Sequence, residues 1–203
     1  MQTQPSQRGF SLIELMIALV VGLIVSGAAV ALVAAIGKSN ADTVRATRLT
    51  QELRATAEII ARDMRRARSD TDPIANVSTT AAQWPACNTI SPATGNSASC
   101  AIYGYDCGGA SQTFNAIGLV GTKVYLAQAT AAAPACPTAA NQQISSDAVN
   151  ITALTFNRTS DDVITVTVAG QLSYQPSVVN SVTITNPTRT ISQEVRIRSA
   201  QVQ

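Results

Sequence analysis

The balance of apolar and polar residues changes sharply along this chain. Residues 1–9 are polar, whereas Phe10 to Ile36 is apolar except for small polar residues and one acid, Glu14. Leu15 to Ile36 contains no charged residue. At ~1.5 Å per residue, a helix of this length crosses the ~30 Å hydrocarbon core of a bilayer. The segment therefore predicts a membrane-spanning helix.

Beyond this segment the pattern becomes amphipathic. Apolar or small residues recur every three or four positions, which places them on one face of a helix, and Arg and Glu residues lie beside that face. Pro73 prevents the helix from extending further. We therefore expect one helix from about residue 10 to 68, ending near Arg66–Ser69, with its second half covering a sheet. The predicted buried face consists of Leu49, Leu53, Thr56, Ile60, Met64 and Ala67.

The last quarter of the chain alternates apolar and polar residues with a period of two, which is typical of half-buried strands. Turn-forming residues separate the alternating stretches. The pattern predicts an antiparallel sheet of about four strands with one apolar face over the helix. The strands are expected around Leu154 and Phe156, at Ile164 to Val168, at Val182 to Thr185 and at Ile191 to Ile197.

The region between helix and sheet contains all four cysteines, Cys87, Cys100, Cys107 and Cys136. None of them has the C-x-x-C spacing of a zinc site. An even count beyond a membrane segment predicts two disulfides in an oxidising compartment, and the three possible connectivities stay open. Residues 69–148 are accordingly predicted to be loop-rich and stapled by disulfides.

Proline and glycine interrupt the pattern throughout this middle region. Two short stretches nevertheless have strand character, Ala101–Tyr105 and Lys123–Ala127. We expect short strands there, connected by irregular segments.

The composition narrows the possible functions. A net charge of +2 is too small to suggest a nucleic-acid partner, and the chain has no His, the commonest general base and metal ligand. No nucleophile motif, phosphate-binding loop or metal-ligand cluster occurs. The sequence therefore predicts a protein that is not an enzyme and needs no cofactor or metal.

Glu14 is the most informative residue of the apolar segment. A carboxylate just inside a membrane helix costs a few kcal/mol and usually has a partner. Cleavage after Gly9 would create an α-amino group at Phe10, four positions before Glu14. That amine, in the same chain or in a neighbouring subunit, is the expected partner, and two such charges would neutralise each other only at the correct stagger.

The stretch from Arg8 to Met16, RGFSLIELM, resembles the class III signal of type IV prepilins and type II secretion pseudopilins. The resemblance implies that a membrane peptidase cuts after Gly9 and methylates Phe10, and that Glu14 serves subunit docking. Major pilins often have a helix-kinking Pro in the apolar segment, and this chain has none there. This departure favours a minor subunit.

The stretch QELRATAEIIARDMRRA looks like the helix that follows the membrane segment in PilW-type minor pilins and in J-type minor pseudopilins. The implied fold is α+β, with a long N-terminal helix, half in the membrane and half amphipathic, packed on an antiparallel sheet with disulfide-stapled loops. The expected segments are a leader at 1–9, a transmembrane and filament-core helix at 10–36, its amphipathic continuation at 37–68, a cysteine-containing region at 69–148 and the sheet at 149–203.

The resemblance implies a minor pilin that primes assembly of a type IV pilus and lies near its tip. Expected partners are the prepilin peptidase, other minor pilins, the major pilin, the inner-membrane assembly platform and the bilayer. The expected location is the inner membrane, with a cytoplasmic N-terminus and a periplasmic head, and then the pilus. Alternatives are a J-type pseudopilin of type II secretion, a DNA-uptake pseudopilin, and a membrane-anchored adhesin or ligand-binding module.

Overall fold

The described residues form one α-helix and eight β-strands. The chain divides into two compact units, Met1–Arg45 and Ala46–Gln203. The computed structural model describes residues 11–69, 90–106, 112–130, 132–173 and 187–197.

Helix α1 extends over Leu12–Met64, as the sequence pattern predicts. It begins after Ser11, whose carbonyl accepts a hydrogen bond from the Leu15 amide at 3.2 Å. Turns over residues 65–68 continue the chain to the predicted end. There Arg68 has a φ of 59°, a left-handed conformation that terminates helices. The Arg68 amide then donates to the Gly104 carbonyl at 2.8 Å, which attaches the helix end to the sheet.

Two four-stranded antiparallel sheets follow the helix, in the orders β1-β6-β7-β8 and β2-β3-β4-β5. We call them the first and second sheet. The strands are β1 (Ser97–Ala98), β2 (Cys100–Tyr105), β3 (Thr113–Val120), β4 (Lys123–Ala129), β5 (Gln142–Gln143), β6 (Val149–Arg158), β7 (Val163–Leu172) and β8 (Arg189–Arg196).

The chain passes between the two sheets at two short connections. Ser99 alone separates β1 from β2, and residues 144–148 connect β5 to β6. The second connection is held by Lys123, whose Nζ donates to the carbonyls of Ser146 at 3.1 Å and Val149 at 2.6 Å. Both sheets contribute side chains to one hydrophobic core with α1.

The second sheet corrects the prediction of a loop-rich middle region with a single sheet elsewhere. The short strands predicted at Ala101–Tyr105 and Lys123–Ala127 are confirmed as parts of β2 and β4. Strand β3, which joins them, was not predicted, because Phe114 to Gly118 are buried on both faces and show no alternation. The strand predicted at Val182 to Thr185 lies outside the described residues.

The core confirms the predicted face of α1. All six of its predicted residues are buried, and the five apolar ones belong to the hydrophobic core that the helix shares with the sheets. Helix and sheet pack tightly at β7, where a Cβ on Gly170 would lie 3.0 Å from Leu53 Cδ2 and 2.8 Å from the Asn150 carbonyl oxygen of β6. Gly170 is therefore required because a side chain there would collide with the backbone of β6 and crowd Leu53.

Candidate membrane and assembly site

The first half of α1 is apolar on every side and lies open to its surroundings. Every large apolar side chain from Leu12 to Ile36 is more than half exposed. By length and composition this is the one described helix that could cross a membrane, and none of its most apolar stretch is buried. A helix that is hydrophobic all round needs an apolar environment. The helix therefore marks the chain as a single-pass, membrane-anchored protein.

Glu14 lies in the first turn of this helix and is exposed. A negative charge is favourable there because the unpaired amides of the first turn carry partial positive charge. Glu14 forms no ion pair with any residue that the structure describes. Gly9 and Phe10, the predicted cleavage and methylation positions, lie outside the described residues. The roles assigned to these three residues remain predictions.

A buried polar cluster attaches the other end of α1 to the second sheet. Asp63 Oδ2 accepts hydrogen bonds from the Tyr103 hydroxyl and from Asn115 Nδ2, the latter at 2.6 Å. Burial, followed by the negative charge of Asp63 and the hydrogen bond to it, raises the pKa of Tyr103 well above its ordinary value. The cluster fixes the rotation and height of the helix on the sheet, because a slip would leave the buried Tyr103 hydroxyl and Asn115 amide without the half-buried carboxylate that accepts their hydrogen bonds.

Sequence reasoning missed this cluster. Asp63 lies in a run of charged residues beside Arg62 and looks like one more solvated side chain. The available signal was its position directly before Met64, at the border of the buried face. Tyr103 and Asn115 are on neighbouring strands and are paired in register, so only the sheet topology brings them together.

One of the predicted disulfides is present, between Cys100 and Cys136. It connects the first residue of β2 to the segment between β4 and β5, with the Cα atoms 6.0 Å apart. Pro137 lies against the same place, since a Cβ on Gly118 would be 3.1 Å from its Cδ. Cys87 and Cys107 lie outside the described residues.

Arg158 is a buried cation at the end of β6. Its guanidinium donates to Asp161 Oδ1 at 2.8 Å and to the Ile90 carbonyl at 3.1 Å. Arg68 also reaches the Asp161 carbonyl, at 3.3 Å, and burial followed by the charge of Arg158 lowers its pKa. These contacts tie the helix end, the segment before β1 and the β6–β7 turn together. These hydrogen bonds compensate the buried charge of Arg158, whose role is therefore structural.

The described residues offer no metal site: in the described parts of the chain no group of three Cys, Asp or Glu side chains could hold an ion. The feature with functional meaning is the exposed apolar helix. The first 30 residues define the class of protein. Residues 4–30 match the prokaryotic N-terminal methylation motif, and with the long helix and the disulfide-bonded antiparallel sheets this makes the chain a type IV pilin-like protein.

The remainder of the chain gives the family. Residues 42–197 match the model of prepilin peptidase-dependent protein B. The chain belongs to that family, and it is a pilin or pseudopilin that depends on a prepilin peptidase. No curated protein and no solved structure matches it.

Proposed function

We propose that the chain is a minor pilin that helps to prime a type IV pilus and is incorporated near its tip. The observation that carries the proposal is the methylation motif at the start of a helix whose apolar first half is exposed, followed by a small disulfide-bonded head. Such a helix is stable only in lipid or packed among other apolar helices. A subunit that moves from the membrane into a filament meets first one of these environments and then the other. The protein is structural and has no enzymatic activity of its own.

In this proposal the prepilin peptidase cuts between Gly9 and Phe10 and methylates the new amine. The N-terminus faces the cytoplasm, where Arg8 is retained, and the head is periplasmic, where Cys100 and Cys136 are oxidised. The proposed segments are a leader at 1–9, a membrane and filament-core helix at 10–36, an amphipathic helix at 37–68 and a head at 69–148 and 149–203.

The processing step is tested by co-expression with the cognate peptidase, followed by intact mass and N-terminal analysis of the membrane-extracted product. The expected product begins at methylated Phe10. The Gly9→Leu variant should stay uncut, because a bulky residue replaces the small one at the cut, while Gln7→Leu serves as the control and should be processed. A mature-sized band from Gly9→Leu would refute the assigned site.

The docking role of Glu14 gives a second prediction. Glu14→Ala should leave insertion in the membrane unchanged but reduce the amount of this subunit in sheared pili by about tenfold or more, the effect of leaving a partner charge unpaired in an apolar setting. Glu58→Ala removes an exposed acid from the head portion of α1 and should have no effect. Wild-type amounts of Glu14→Ala in sheared pili would contradict the docking role.

Whether the protein serves a type IV pilus or a type II secretion system is tested by deleting its gene in the host. A minor pilin predicts loss of surface pili and recovery of the tagged subunit in the sheared fraction. Loss of protein secretion with normal pili would instead indicate a J-type pseudopilin. Normal pili and secretion with lost surface attachment would indicate an adhesin.

A further inference from the structure

A groove of about 300 Å³ lies between α1 and the second sheet. Its floor is aliphatic, formed by Ile117 of β3 and Leu126 of β4, and Ile144 follows β5 at the far wall. Ile59, Arg62 and Asp63 of α1 form the near wall, together with Arg66 of the turn that follows the helix. We call this feature the α1–β4 groove.

Ile59 distinguishes this groove from the rest of the head. It is 47% exposed, and among the described residues from 46 onward it is the one large aliphatic side chain with such exposure. The other exposed aliphatic side chains belong to the apolar half of α1 and to Val44. An apolar side chain left open beside an aliphatic floor is typical of a surface that a partner covers.

The charges at the near wall are unbalanced. Arg62 is exposed and forms no ion pair with a described residue. Arg66 lies over the Tyr105 ring at 4.2 Å and forms a long ion pair, 3.9 Å, with Oδ1 of Asp63, which also lines the groove. The other oxygen of Asp63, Oδ2, accepts the hydrogen bonds from Tyr103 and Asn115. The groove therefore presents two guanidinium groups against one carboxylate, and the unpaired Arg62 favours a carboxylate from outside.

We propose that the α1–β4 groove is a docking surface for a different pilin-like subunit, which inserts an aliphatic side chain next to an acidic one. The volume is at the lower end for a small-molecule pocket, and the exposed Ile59, Arg62 and Arg66 leave the groove open along one wall. That shape suits an anchor side chain from a neighbouring protein. The inference deepens the proposed function and rests on it.

Charge argues against a second copy of this chain as the occupant. In a symmetric contact the same patch faces itself. Two copies meeting through this groove would each bring Arg62, Arg66 and the one carboxylate of Asp63, which is already engaged by Arg66, so the positive charges outnumber the negative ones and the contact is repulsive. A subunit with acidic residues beside an aliphatic one removes that repulsion.

The test uses the full-length chain in host cells that carry the complete assembly system. A photoreactive p-benzoylphenylalanine replaces Ile59, and cross-linked products are identified by peptide mass spectrometry. The control places the same group at Arg54, which is exposed on α1 but does not line the groove. We expect Ile59→p-benzoylphenylalanine, but not the control, to capture another pilin-like subunit at a peptide containing Asp or Glu beside an aliphatic residue.

Charge reversal tests the acidic part of the proposal. Arg62→Glu with Arg66→Glu should lower the cross-link yield by about tenfold, the effect of losing an interface anchor. Arg54→Glu with Arg65→Glu makes the same change in net charge outside the groove and should leave the yield unchanged. Because Arg66 also contacts Tyr105, Arg62→Glu alone is included and should show a smaller loss in a fully folded head.

Several outcomes would overturn the inference. These are no product at Ile59, capture of lipid alone, capture of a second copy of this chain, or a yield that does not respond to charge reversal in the groove. Failure of the proposed function is recognised separately. If the subunit is found in sheared pili while Ile59 captures nothing, the function stands and the groove does not. If deletion leaves pili intact while Ile59 captures a secretion pseudopilin, the groove stands and the pilus role fails.

Discussion

The two halves of α1 belong to one continuous helix but are stabilised by different surroundings. From Leu12 to Ile36 every large apolar side chain is exposed, whereas from Leu49 to Met64 the large apolar residues other than Ile59 are buried on one face and charged residues lie on the other. The second half obtains its apolar environment from the chain's own sheets. The first half must obtain it from lipid or from other subunits. The comparison shows that one helix can be fully packed within its own chain at one end and still present an unpacked apolar surface for assembly at the other.

The largest effect is expected from truncating the same residue type in the two halves. Leu53→Ala should lower the free energy of unfolding of the head by about 2–5 kcal/mol, because Leu53 is fully buried against β7. Leu23→Ala should leave it unchanged, because Leu23 is 67% exposed. Urea unfolding of the full chain in mild detergent, followed by circular dichroism, measures both. Equal losses in the two variants would show that the halves are not independent.

Removing the disulfide should affect only the head. Cys100→Ser with Cys136→Ser should cost about 2–4 kcal/mol, because the unfolded chain regains the freedom of a closed loop. Membrane insertion, measured by resistance of the chain to carbonate extraction, should be unchanged. A variant that is as stable as the parent protein in the same urea experiment would show that the bond is dispensable for the fold.

The smallest expected effect is on the pH dependence of the head. Because the folded pKa of Tyr103 is raised, the neutral phenol is favoured in the fold. The resulting stability should be complete below about pH 10, the ordinary tyrosine value, and should be lost as the pH rises through the higher folded value. Tyr103→Phe should abolish this alkaline loss and cost about 1.5 kcal/mol at neutral pH, because the lost hydrogen bond is made to a carboxylate.

Tyr125→Phe is the matched control for this measurement. Tyr125 lies on β4 of the same sheet, and the substitution leaves the Asp63–Tyr103 contact intact. Its variant should therefore keep the alkaline loss. If both variants lose it, the titrating group is elsewhere in the head.

The elements predicted most accurately from the sequence are those in which apolar residues recur with one regular period. The face of α1 from Leu49 to Ala67 repeats every three or four residues, and all of its predicted members are buried. Apolar and polar residues alternate in strands β6, β7 and β8 because only one face of each strand contacts the core. This alternation allowed the strands to be predicted from the sequence. Strand β3 has both faces covered, so its pattern carries no period and the second sheet was missed.

Of the candidate functional residues, only those that lie close together in the sequence could be predicted. The methylation motif is contiguous, so Gly9, Phe10 and Glu14 could be named from the sequence. The Asp63 cluster and the α1–β4 groove join residues from α1, β2, β3 and β4, which are distant in sequence. Such sites depend on strand pairing, which local patterns do not determine. The pairing of Cys100 with Cys136 was undetermined for the same reason.

The single residue between β1 and β2 has a mechanical consequence. Two sheets held only by side-chain packing can be separated one contact at a time, but at Ser99 they are joined by a single residue of backbone, so the Cα atoms of Ala98 and Cys100 lie at most ~7 Å apart. The Cys100–Cys136 bond lies next to this joint. A tensile load on the head is therefore borne at this point by covalent bonds, and the sheets must yield elsewhere first.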